Sequence, residues 1–170
     1  MDVSAAASKI ADIVITVNEY VEKIKSIYNK YAEKINGYID ELDRIIEKMV
    51  ELGSQAIVWV DMQIKKVLKK ISDALDSVKT KINDIINQLK DWYEKTIKKI
   101  KISIIKGSMA KLGVSLTYSA AEAMSDMIPN PDITSLIPEI KIELQLPDTN
   151  LSAGVELDMS KYKLKKLPLL

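Results

Sequence analysis

From about Ser4 to Ile105 the apolar residues recur at alternating steps of three and four, beginning Ile10, Ile13, Val17, Tyr20, Ile24 and ending Ile97, Ile100, Ile104. Most of the positions between carry polar residues, many of them charged. This is the pattern of an amphipathic helix, sustained far beyond the roughly 8 to 20 residues of an ordinary globular helix. The mean step is about 3.6 residues, close to an unsupercoiled helix rather than a strict heptad. Nearly straight helices are therefore expected, and not a tightly wound rope.

Two glycines interrupt the composition of this segment without shifting its phase. The stripe passes Gly37 as Ile35, Tyr38, Leu42 and passes Gly53 as Met49, Leu52, Ala56. Neither site carries a proline, and a glycine inside a helix costs only about 1 kcal/mol. The pattern thus predicts one unbroken or merely kinked helix, with a hairpin folded back at Gly37 or Gly53 as the rival. Gly53 followed by Ser54 is the weaker point, because that order reads as one helix ending and another being capped.

A single helix of this length would measure on the order of 150 Å. Its stripe could not stay in water, since each large side chain left exposed forgoes about 1.5 to 3 kcal/mol. Identical copies in register are the simplest cover. The expected oligomer seam comprises Ile24, Ile27, Tyr31, Ile35, Leu42, Ile45, Val60, Ile64, Val67, Ile71, Ile82, Ile85 and Leu89. Trp59 and Trp92 lie near it and suit a wide seam with more than two strands.

After Lys106 the texture changes. Gly107 and Gly113 should end the long helix, "TYSAAEAMSDMI" supports a short one, and "PNPD" at residues 129 to 132 closes it. In "PEIKIELQLPD" the residues Ile140, Ile142, Leu144 and Leu146 alternate with Lys141, Glu143 and Gln145, which predicts a half-buried docking strand. A second alternation, Val155, Leu157 and Met159, predicts its hairpin partner. A lone hairpin is marginal in water, so the pair is expected to form a cap with other copies or to add to another protein's sheet. The fold class is accordingly mainly α, a long amphipathic helix in a coiled-coil or bundle oligomer with a small β-hairpin. Its domains are a helical rod over 1–106, a short helical connector over 107–128 and a β anchor over 129–170.

Charge is balanced overall, at +1, but unevenly placed. Residues 1 to 51 hold seven Lys/Arg against ten Asp/Glu, and residues 65 to 111 hold thirteen Lys against five acids. Lys65, Lys66, Lys69 and Lys70 in "KKVLKK", with Lys98 and Lys99 in "KTIKKIK", are candidates for contact with nucleic acid or anionic membrane. The acidic Asp40 to Glu51 segment of a neighbouring protein would suit them equally. Arg44 is the sole arginine, so bidentate base or phosphate reading is not expected.

Catalytic chemistry finds little material. With no Cys and no His, thiolate and imidazole sites are excluded, and the acids fall on the polar helix face. Asp73 and Asp76 in "SDALDS" read as surface or cap residues. "GSMAKLG" lacks the Gly-Lys-Ser/Thr ending of a phosphate loop. No enzyme activity, cofactor, metal or small-molecule substrate is expected. The start "MDVSAAASKI" has no basic region before an apolar run, and the longest strongly apolar run is "AIVWV", so a soluble protein made in the cytoplasm without a signal peptide is expected. The "NLS" at Asn150 to Ser152 is then a chance sequon.

In layout, a long helical rod joined to a terminal β segment, the chain resembles structural components of viral or phage particles, such as fibre, tail or portal-associated proteins, and secretion-machine rods. The resemblance implies a non-enzymatic, homo-oligomeric structural protein that docks to other structural proteins through its terminal strands, with a virion as one place for it. The alternative is a Lys-rich helical module that binds nucleic acid or anionic membrane.

Overall fold

The computed structural model describes residues 3–53, 57–137, 139, 140, 142, 144–147 and 162–170. The chain is mainly helical, as its periodicity predicts: α1 spans Val3–Leu52, α2 spans Ile57–Lys111, α3 spans Tyr118–Asp126, and a 3-10 turn covers Thr134–Leu136. Their contacts form two units, Met1–Ile24 with Asn83–Glu139 and Lys25–Ile82 with Ile140–Leu170.

The expectation of an unbroken helix is corrected at Gly53. Its φ of 73° lies in the left-handed region, and its N–H donates to the carbonyl of Met49 at 2.9 Å, the single-bond glycine cap that ends a helix. At Gly37, by contrast, α1 runs straight on. Stripe phase carried through Gly53 because a helix that folds back must present its apolar face again to the helix it left. Periodicity records which face is apolar and is silent on what covers it.

In the unit of residues 25–82 and 140–170 the two helices are antiparallel neighbours. The ammonium of Lys48 lies 5.5 Å from the ring centre of Trp59, that of Lys70 5.7 Å from Tyr38, and that of Lys81 5.1 Å from Tyr31. Partners climb along α2 as they descend along α1. Between the helices Ile35, Leu42, Val60, Ile64 and Ile71 are fully buried, with Ile45, Val67 and Ile82 nearly so. Tyr31 and Ile27 are half-buried. The residues expected to meet other copies are therefore covered by the chain itself, which removes the burial argument that called for partners.

The unit of residues 1–24 and 83–139 has its own core, in which Ile13, Val17 and Val21 of α1 meet Leu89, Tyr93 and Ile100 of α2 and Ile133 beyond α3. Tyr20 and Trp92 stack at 6.4 Å between ring centres. Of the remaining seam residues Ile24 and Leu89 are fully buried and Ile85 half-buried. Helix α2 passes through Gly107 and stops only at Gly113, where φ is 79°. There Gly113 N–H bonds to Ala110 and Val114 N–H to Met109, the paired Schellman arrangement. Thr117 caps α3 by accepting the N–H of Ala120 at 3.2 Å.

No strand occurs among the described residues. Ile140, Ile142, Leu144 and Leu146 are each half-buried, while of the polar positions Glu139 and Gln145 are exposed. The second expected strand, Val155 to Met159, lies outside the described residues.

Candidate functional site: a peptide-holding groove on α1

The final segment, residues 163–170, is bound to α1 in the same unit by a repeated device. Asn36 donates its amide N–H to the carbonyl of Leu167 at 2.9 Å and accepts the N–H of Leu167 at 2.7 Å. Asn29 treats Leu170 identically, at 3.0 and 2.8 Å. An asparagine amide carries the donor and acceptor of a peptide group. Each clamp gives one residue of the segment both backbone bonds that an opposite residue in an antiparallel sheet would give it. Here the partner of a strand-like peptide is a helix.

The spacing of the clamps is set by helix geometry. Seven helical residues, Asn29 to Asn36, advance about 10.5 Å, and three residues, Leu170 to Leu167, cover that distance only when extended. The segment thus runs extended and antiparallel to α1. Seven residues further along α1 is Asp43, which lines a cleft of about 460 Å³ with Ile46, Glu47, Val50, Lys163 and Leu164.

Other contacts fix the segment's place. Tyr28 donates its hydroxyl to the carbonyl of Pro168 at 2.8 Å, and burial holds its phenol above the ordinary value of 10.0. Lys166 pairs with Asp40 at 2.8 Å. Leu167 is buried, whereas Leu169 and Leu170 are more than half exposed. Recognition therefore rests on backbone bonds, one apolar anchor and one ion pair.

Three of the sequence-predicted lysines are engaged in ion pairs. Lys65 is paired with Asp61 at 2.7 Å, Lys70 with Glu41 at 3.6 Å, and Lys98 with Glu122 at 2.9 Å. That last bond raises the pKa of Lys98. Lys66, Lys69 and Lys99 are exposed. The pairing of Lys70 with Glu41 places the basic and acidic stretches against each other within one chain. Asp73 and Asp76 are both exposed, and among the described residues no group of three acids is placed to hold a metal ion. No helix among them is long and apolar enough to cross a membrane.

Sequence reasoning missed Tyr28, Asn29, Asn36 and Asp40 as a set. The available signal was two asparagines seven apart inside a long helix, where Asn is a poor helix former and needs another reason to be present. Comparison with known protein families, with characterised proteins and with solved structures finds no match to this chain.

Proposed function

We propose that the chain is a non-enzymatic structural protein that associates with copies of itself inside a larger assembly, of the kind found in virus or phage particles, and docks through residues 129–170. One observation carries this reading: after each unit has closed its core, large apolar side chains remain uncovered. In one unit these are Val50, Leu52, Val58, Trp59 and Met62 around the α1–α2 break, all 41% exposed or more. In the other, Ile10, Val14 and Ile15 on α1 are 47–58% exposed. Clustered exposed apolar residues of this kind mark protein contact surfaces. The docking part is supported by the way residues 163–170 are already read as a peptide by a helix of this fold.

Sedimentation velocity over a range of concentrations tests the reading. Association is expected, weakened by the paired substitution Val58→Asp and Met62→Asp on the exposed face. A protein that stays monomeric at every concentration would overturn it. A second reading, contact with nucleic acid or anionic membrane, keeps Lys66, Lys69 and Lys99, which make no ion pair among the described residues. Binding that weakens steeply with salt is its expected signature.

A further inference from the structure

We propose that the Asn29–Asn36 groove also accepts residues 163–170 of a second copy of this chain, so that neighbouring copies are joined by exchanging this segment. The proposal rests on the assembly reading above and names the contact that would make it.

The groove's recognition is indifferent to which chain supplies the peptide. Four of its bonds are backbone clamps on Leu167 and Leu170, and a fifth is the Tyr28 hydroxyl on the Pro168 carbonyl. Every one can be remade by the same segment arriving from another copy. Charge favours the same occupant, because Lys166 meets Asp40 and Lys163 stands with Asp43 and Glu47 at the cleft. An acidic peptide would be repelled there.

The segment's own buried surface is small and is regained on exchange: within residues 163–170 Leu167 alone is buried, and the fully buried Tyr162 just before it either keeps its place or takes the equivalent one in the neighbour. The chain preceding Tyr162 joins the segment covalently to the rest of its unit. Exchange of an identical element costs little, since the bonds broken within one chain form again between two. Whether the segment binds its own groove or a neighbour's then depends on the concentration of copies against the effective concentration set by the connection. Inside an assembly, where copies are crowded, the neighbour's groove is favoured.

The chain has no cysteine, so single thiols can be placed freely. Glu33 lies on the helix face between Asn29 and Asn36 and is exposed, as is Leu169. Full-length Glu33→Cys and full-length Leu169→Cys, mixed and treated with a short bismaleimide, are expected to give a two-chain product that grows with concentration. That product should fall by about thirtyfold or more when Asn29→Ala and Asn36→Ala are added, given the loss of four clamp bonds. It should fall likewise with Leu167→Lys, which leaves α1 untouched. A chain carrying both thiols should cross-link internally at high dilution. An internal product without a two-chain product, in protein that sediments as an oligomer, overturns exchange and leaves the assembly reading standing. A two-chain product indifferent to the Asn and Leu167 substitutions reports collision and also overturns it. Monomers throughout, with no two-chain product, remove both readings.

Discussion

At the residue scale, two glycines of similar sequence context differ in what they do. Gly37 is helical, and a Cβ built there meets nothing within 4 Å. Gly53 has equally open surroundings but a φ of 73°, a conformation that costs a residue with a Cβ about 1–2 kcal/mol. Alanine should therefore act with opposite sign at the two sites. Gly37→Ala is expected to stabilise the protein by about 0.5–1 kcal/mol, through better helix propensity and a less free unfolded chain. Gly53→Ala should destabilise it by about 1–2 kcal/mol. Urea unfolding of the two variants reads both numbers, and equal signs would contradict the hairpin turn at Gly53. The difference was not legible in the apolar stripe, which treats both glycines as gaps in a continuous face. The Gly-Ser pair did mark the weaker point, since it carried local capping information.

At the element scale, the groove on α1 makes a prediction about pH. The Tyr28 hydroxyl must keep its proton to donate to Pro168, and burial raises its pKa above 10.0. A phenol whose folded pKa is raised contributes stability that is fully present below its ordinary value and is lost as pH rises through the folded one. The 163–170 segment should thus loosen above about pH 10, ahead of the helices. Amide exchange is too fast to follow there, so side-chain NMR of labelled Leu167 methyls is the measurement. Tyr28→Phe should weaken docking already at neutral pH and remove this step. The partial burial of Ile140, Ile142, Leu144 and Leu146 was legible in the sequence, as was the short helix of "TYSAAEAMSD". Ile140, Ile142, Leu144 and Leu146 are the residues the alternation marks for docking, whereas the backbone clamps within the chain fall on Leu167 and Leu170. The latter escaped the sequence because backbone clamps leave no mark on the bound residues' identity, and Asn29 and Asn36 act only once an extended segment lies beside them.

At the scale of the whole molecule, the decisive fact is that one chain covers most of its own stripe. If the seam needed other copies, dilution would strip cover from Ile35, Leu42, Ile64 and Ile71 and melt the helices, because a folded state tied to association depends on protomer concentration. With those side chains fully buried inside a single chain, helical circular dichroism is expected to stay constant over at least about a hundredfold dilution, even where sedimentation shows association being lost. A parallel loss of both signals would return the seam to the interface between copies. Charge tells the same story. The acidic first third and basic middle of the sequence look like surfaces for two different partners, yet Lys70 of the middle pairs with Glu41, and Lys166 of the final segment with Asp40, within one chain.

The amino-acid sequence by itself determined the helical class, the apolar face of each helix, the separate character of the last forty residues and the lack of thiol or imidazole chemistry. These follow from side-chain type and periodicity, which act over one or two turns. Only the tertiary structure decided that the long stripe folds back at Gly53 and that two asparagines hold a distant Leu-Pro-Leu segment. Both depend on which surfaces meet at a distance in sequence, up to 141 residues for Asn29 and Leu170, and a periodic pattern fixes the face presented but not the face that answers it.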